Sequence, residues 1–203
     1  MHFDILTCPL PETVTINGKE YPINWDFRTG IELEKVIRSD ETEDEKYRKM
    51  LLLYYPQIPV DLVAAVERIM WFYRCGEEEK NEEDTKQRYK RRRRKEPVCV
   101  FEQDSPYIYA AFLEQYRIDL TEVKSMHWWR FMALFESIGD NTKMCKIMYY
   151  RRASTSGMSK ERRAFINEMK KLYQIRDSCN CKMTLRQRDQ GWKEYVRKRF
   201  KEK

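Results

Sequence analysis

Two short runs of alternating polar and apolar residues lie near the start of the chain, at positions 13–16 and 19–23. Asn17-Gly18 separates them, and this dipeptide favours a two-residue hairpin turn because both central residues need a positive φ. Such a turn places Val14 opposite Tyr21. An isolated hairpin is only marginally stable in water, so we expect it to pack on helices or to pair with the edge of another chain.

Apolar residues then recur with the period of an α-helix. Residues 28–38 form a short amphipathic stretch, and Thr42-Glu43-Asp44-Glu45 fits a capping box at the start of a second helix, which Pro56 ends. After Pro59 a third helix carries a regular apolar stripe: Leu62, Val66, Ile69 and Tyr73. Gly76 is predicted to be the C′ residue of that helix.

The second half of the chain contains more helical signals. Ser105-Pro106 suggests an N-cap followed by proline at the first helical position, and Thr121 is a candidate cap for a helix that runs from Met126 to Ile138. Further candidate caps precede two later helices: Asn141 or Thr142, and Ser159.

The helix between Met126 and Ile138 is apolar over most of its circumference. A helix of this kind belongs in the centre of a core or in an interface. Aromatic residues dominate the binding energy of many interfaces and methionine adapts to varied contacts, so four residues are candidate partner contacts: Trp128, Trp129, Phe131 and Met132. The alternative is that these side chains belong to the core.

The composition supports a helical protein. The chain has 203 residues, of which only 6 are Gly and 7 are Pro, and this scarcity argues against turn-rich β folds. No apolar run reaches the ~20 residues of a membrane helix. The acidic start of the chain and 6 Cys without a secretory signal lead us to expect a cytosolic protein with reduced thiols. We predict a mainly α protein with a small N-terminal β-hairpin.

Charge divides the chain into regions. We expect an N-terminal part at 1–76, a charged linker at 77–97, a helical core containing the Trp-Trp helix at 98–175, and a basic helical extension at 176–203. The linker includes Arg91, Arg92, Arg93 and Arg94. The net charge is +7, and residues 151–203 alone carry 17 Lys and Arg against 6 Asp and Glu. The basic regions invite an acidic partner, although such runs are often only solvated surface.

No pattern in the sequence indicates an enzyme. His2 and His127 are the two histidines, no nucleophile motif accompanies them, and no Cys pair has the spacing of a zinc finger. We therefore expect no catalytic residues, no metal and no cofactor. A nucleic-acid-binding protein that uses Arg91–Arg94 and the basic C-terminal region remains the alternative function, and steep salt dependence would be its signature.

Several longer runs resemble one family of phage proteins. The runs lie at 25–30, 52–55, 72–76, 101–116, 118–120, 126–131, 140–143, 146–151 and 158–173. They are similar to the bacteriophage gene-product-fifteen proteins of long-tailed phages and of prophages in Gram-positive bacteria. The resemblance covers about residues 15–175.

The resemblance implies a role in tail morphogenesis, because genes of this family lie near those of the tail tube and the tape measure. It implies a tail assembly chaperone that binds the tape measure protein during tube polymerisation, next to other tail assembly proteins. Self-association and presence in the finished virion stay open. The family brings no catalytic residues. Arg117 stands where its pattern leads us to expect glycine, so we expect the turn there to differ.

Overall fold

The computed structural model describes residues 4–77 and 98–176. This part of the chain contains a two-stranded hairpin and seven helices: β1 Thr13–Ile16, β2 Lys19–Pro22, α1 Phe27–Arg38, α2 Glu43–Tyr54, α3 Leu62–Tyr73, α4 Phe101–Tyr116, α5 Trp128–Glu136, α6 Lys143–Arg152 and α7 Lys160–Leu172. The prediction of a mainly α fold with a small N-terminal hairpin is confirmed. None of the described helices is long and apolar enough to cross a membrane.

The chain divides into two compact units. Within the described residues, the first unit comprises 4–77 and 125–132, and the second comprises 98–124 and 133–176. The Trp-Trp segment, which the sequence analysis placed with the second half, therefore groups with the N-terminal helices. Its backbone pairs with the segment before α1, as described below. Apart from Glu77 and Arg176, the predicted linker and basic extension lie outside the described residues.

The hairpin has the predicted register, with Val14 paired to Tyr21. Asn17 and Gly18 both have positive φ, at 50° and 78°, as the two-residue turn requires. Val14 and Ile16 are buried, and β1 lies against α3. The hairpin is thus stabilised by packing on a helix of its own unit.

Most helices begin at a side-chain cap. The Thr42 capping box is confirmed, since the Thr42 side chain accepts from the Glu45 backbone N–H and the Glu45 carboxylate accepts from the Thr42 N–H. The Thr142 and Ser159 side chains accept from the backbone N–H groups of Cys145 and Arg162, so they cap α6 and α7 as predicted. Asp26 caps α1, which begins one residue earlier than its apolar pattern suggested.

The predicted start of α4 at Ser105-Pro106 is wrong, because the helix begins at Phe101 and Pro106 lies inside it. Proline has no N–H to offer the carbonyl oxygen four residues earlier, which here belongs to Glu102. The Ser105 hydroxyl donates to that oxygen at 3.2 Å. The serine thus replaces the missing hydrogen bond and allows the helix to continue through the proline.

Two further helix boundaries were mispredicted. Thr121 caps no helix, because its backbone N–H and hydroxyl both donate to the Asp119 carboxylate in a turn, and α5 begins only at Trp128. At the end of α3, the left-handed residue after the cap is Cys75, with φ 56°, and Gly76 follows it. The N–H groups of Cys75 and Gly76 donate to the Phe72 and Trp71 carbonyls, both at 3.0 Å, in a Schellman motif.

A buried ion pair lies at the centre of the second unit. The Arg151 guanidinium donates to both carboxylate oxygens of Asp104, at 2.6 and 2.8 Å. The two side chains are 7% and 0% exposed. Arg151 also donates to the carbonyl oxygens of Val98 and Tyr173, at 2.9 and 2.7 Å. One arginine therefore joins α4, α6, the end of α7 and the segment before α4.

Candidate functional site

The predicted partner contacts lie where two distant segments pair. The Phe27 N–H donates to the Met126 carbonyl and the Trp128 N–H to the Trp25 carbonyl, each at 2.8 Å. The Asp26 carboxylate accepts from the N–H groups of Arg28 and Met126, both at 3.0 Å. A single aspartate thus caps α1 and fixes the segment that leads into α5.

The two tryptophan side chains donate hydrogen bonds to carbonyl groups at the end of α3. The last carbonyl groups of a helix have no partner within that helix. The indole N–H of Trp129 donates to the Phe72 carbonyl at 2.7 Å, and that of Trp128 donates to the Tyr73 carbonyl at 2.9 Å. The polar atom of each indole is therefore used inside the first unit, and its ring is packed there.

Two glycines make room for these rings. A Cβ atom on Gly30 would lie 2.3 Å from Cε3 of Trp128, and one on Gly76 would lie 2.9 Å from Cη2 of Trp129. Contacts below 3.0 Å are too short for a real Cβ, so a side chain at either position would force the tryptophan ring or the backbone to shift. The first-half motifs of the family resemblance therefore pack directly on the Trp-Trp motif of the second half.

His127 has a capping role in this core. Its Nδ1 accepts from the Trp129 N–H at 3.1 Å, and its Nε2 lies 3.0 Å from the Pro11 carbonyl oxygen. This arrangement requires the neutral ring with its proton on Nε2. Burial lowers the pKa of His127 below 6.5, which favours the same neutral form. The histidine has a structural role, because backbone groups occupy both ring nitrogens.

The interpretation of the aromatic residues as partner contacts is withdrawn. Trp128, Trp129 and Phe131 are 1%, 3% and 0% exposed, so they present no surface to a partner. Met132 is only partly exposed. Arg91, Arg92, Arg93 and Arg94 lie outside the described residues.

A different surface emerges in the second unit, formed by α6 and α7. Among the five apolar residues that share one face of α7 and its end, only Ile166 is buried: Phe165, Ile166, Met169, Leu172 and Tyr173. Phe165 remains 48% exposed and Leu172 65% exposed. The apolar face of an amphipathic helix normally packs against the core. The apolar face of α7 is only partly covered by the described residues.

The aromatic residues of α6 extend this apolar area. The Tyr150 ring packs edge-on against Phe165 at 6.0 Å between centroids and stacks with Tyr173 at 6.2 Å. Tyr149, 49% exposed, contacts Tyr150. The ammonium group of Lys143 lies 4.9 Å from the centre of the Tyr173 ring.

This region is also strongly basic. Residues 143–176 carry 10 Lys and Arg against 2 Asp and Glu, a balance of +8. We use the term α6–α7 surface for the apolar residues Tyr149, Tyr150, Phe165, Leu172 and Tyr173 together with the basic residues Lys143, Lys146 and Arg162. The sequence pattern predicts a helix here, but Phe165 and Leu172 are not among the predicted partner contacts. Their seven-residue separation, close to two helical turns, was the signal for a common stripe.

Comparison with known families assigns the chain. A family model described as Bacteriophage Gp15 protein matches residues 6–175. The chain belongs to this family. The match covers the aromatic core, the buried ion pair and the α6–α7 surface, and it confirms the resemblance seen in the sequence. No curated protein and no solved structure matches the chain.

Proposed function

We propose that this phage protein is a tail assembly chaperone that binds the tape measure protein while the tail tube polymerises. It acts by binding, without a catalytic step or a cofactor, in the cytoplasm of the bacterial host. Other tail assembly proteins and further copies of the chain are additional partners in this proposal.

The observation that carries the proposal is that the residues described, 4–77 and 98–176, cover the apolar face of α7 incompletely. A protein that keeps a helical client soluble needs accessible apolar residues, and it needs charge around them to remain soluble itself. Phe165 and Leu172 provide the accessible apolar residues, and the basic residues of 143–176 provide the surrounding charge. Membership of a phage family supports the setting in which such a client occurs.

Co-expression with the tape measure protein of the same phage tests the proposal. We expect the tape measure protein to stay in the soluble fraction and to co-purify with the full chain after nuclease treatment. A tape measure protein that is equally soluble and unbound in the presence of the chain contradicts the proposal. Presence of the chain in purified virions would instead favour a structural tail component.

Nucleic-acid binding is the second candidate function, supported by the +8 balance of residues 143–176. A protein held mainly by phosphate contacts loses orders of magnitude in affinity over a few-fold rise in salt. Titration of the full chain with a DNA duplex of about 20 base pairs at ~0.05 and ~0.2 M salt measures this effect. Tight duplex binding at the lower salt only, without capture of the tape measure protein, would favour this function.

A further inference from the structure

We propose that the α6–α7 surface is the docking site for an acidic, amphipathic helix of the protein's partner. Phe165 and Leu172 form the apolar contact, and Lys146 and Arg162 attract the acidic residues. The inference rests on the proposed function, because it takes the partner to be a helical tail protein, and it adds the chemistry and position of the contact.

The spacing of the two apolar residues fits a helix. Phe165 and Leu172 lie seven residues apart on α7, which corresponds to roughly 10 Å along the helix axis. Residues with this separation project from nearly the same side, and helices pack by inserting side chains between such positions. The Tyr150 ring beside Phe165 continues the apolar surface onto α6.

The charge of the region selects an acidic partner. Lys146 and Arg162 are both exposed, on α6 and α7 respectively, within a segment with a balance of +8. A potential of this sign steers acidic segments towards the surface and excludes basic ones.

Two acidic residues also lie on α7, four positions before each apolar residue. Glu161 occupies the first turn, where hydrogen bonds with its own backbone N–H and the Ser159 side chain lower its pKa. The positive end of the helix dipole offsets its charge there. Glu168 stands three residues before Lys171, which offsets its charge by proximity. Replacement of Glu168 by lysine would add positive charge to this face of α7 and should improve its fit to an acidic helix.

Phe165 and Leu172 form an apolar row on α7, and such a row distinguishes a protein helix from a nucleic-acid duplex as the occupant. Phosphate contacts require cationic and hydrogen-bonding groups, and they gain nothing from a leucine that is 65% exposed. The most exposed member of the α7 row is Leu172, an aliphatic side chain without a flat ring for base stacking. The row thus favours a helix that buries apolar residues of its own.

Affinity of full-chain variants for the co-expressed tape measure protein tests the inference. The double variant F165S/L172S should weaken binding at least about tenfold, because hot-spot residues contribute more than 1 kcal/mol each. The control V60S/L52S removes two apolar residues that are 97% and 58% exposed in the first unit, and it should bind normally. Circular dichroism of both variants checks that they retain their helices.

Charge variants test the sign of the partner. K146E/R162E should weaken binding several-fold, more at ~0.05 than at ~0.5 M salt, whereas E168K should tighten it about two- to threefold. R48E/K124E makes the same change in net charge at exposed positions elsewhere and is the control.

The possible failures can be told apart. No binding by the wild-type chain overturns the proposed function and this inference together. Wild-type binding that F165S/L172S leaves intact overturns the docking site alone, and weaker binding of E168K overturns the acidic partner. Loss of affinity for a 20-base-pair DNA probe in K146E/R162E, with tape measure binding unchanged, would assign the surface to nucleic acid.

Discussion

The two units of the protein use polar groups in opposite ways. In the first unit, buried aromatic side chains supply polar atoms to the core. The indole N–H groups of Trp128 and Trp129 donate hydrogen bonds to the carbonyl groups at the end of α3. In the second unit, the Asp104–Arg151 ion pair is buried, and Arg151 also binds backbone carbonyl groups on other segments. Both units expose some apolar side chains, such as Leu52 and Val60 in the first and Phe165 and Leu172 in the second, but Phe165 and Leu172 share one face of a helix.

The difference indicates where stability and where binding reside. A core of stacked rings gains most from burial of apolar surface and tolerates little change in shape. A buried ion pair adds little stability compared with apolar residues of similar size, but loss of one partner leaves a buried charge without its counter-charge. We therefore expect the first unit to be sensitive to added volume and the second to be sensitive to lost charge.

Removal of Asp104 should have the largest effect. D104A leaves the Arg151 guanidinium buried without its carboxylate, and breaking a buried pair in this way costs about 3–5 kcal/mol of unfolding free energy. Urea unfolding followed by circular dichroism measures the loss. The double variant D104L/R151M removes both charges and should be more stable than D104A. Equal stability of D104A and the wild type would contradict a central role for the pair.

The first unit should respond most to the Gly30 position. In G30A the new methyl group would meet the Trp128 ring at 2.3 Å, so the ring or α1 must move. Overpacking of this kind costs about 1–3 kcal/mol, despite the better helix propensity of alanine. E32A, on the exposed side of the same helix, is the control and should change the unfolding midpoint little. Unfolding of G30A at the wild-type midpoint would show that the core can adapt.

Local signals predicted the elements that depend on neighbouring residues. The hairpin register follows from Asn17-Gly18, and the capping box at Thr42 follows from four consecutive residues. The start of α5 could not be predicted in this way, because Asp26 and His127 define it and the Asp26 hydrogen bond to Met126 spans 100 positions. Local composition alone therefore favours Thr121 as the cap of α5.

The candidate site shows the same limit. Trp128 and Trp129 have a sequence pattern that suits a core and an interface equally well. Their burial depends on Gly30, Gly76 and the end of α3, which are all far away in sequence. The exposure of the apolar face of α7 also depends on tertiary packing. The same sequence would be buried if another helix packed on it, so the pattern alone does not predict the exposure.

Acidification should loosen the first unit through His127. Burial lowers the pKa of this side chain below 6.5, so its contribution to stability is present above that pH and is lost as the pH falls through the lowered value. The added proton on Nδ1 would also face the Trp129 N–H that now donates to it. The wild-type urea midpoint should therefore fall between pH 7 and pH 5.

The variant H127N separates titration from capping. Asparagine is a good N-cap and does not titrate, so H127N should retain α5 and lose the pH dependence in this range. The carboxyl groups with lowered pKa, such as those of Asp61 and Asp119, titrate at lower pH and do not interfere. An unchanged pH dependence in H127N would assign the effect to another group.

The ends of α3 and α4 offer the finest comparison between the units, since both contain residues with positive φ. At the end of α3, Cys75 and Gly76 share the left-handed turn, whereas Arg117 alone takes it at the end of α4, with φ 57°. The turn thus adopts the conformation that the expected family glycine would favour, although arginine occupies it.

A side chain in this region costs about 1–2 kcal/mol, which exceeds the entropy that glycine gains in the unfolded chain. R117G should therefore raise the unfolding free energy by about 0.5–1 kcal/mol, measured by urea unfolding. The matched change R163G, inside α7, should lower it by about 1 kcal/mol, and a loss in both variants would mean that the Arg117 side chain stabilises the second unit by contacts that outweigh its backbone strain.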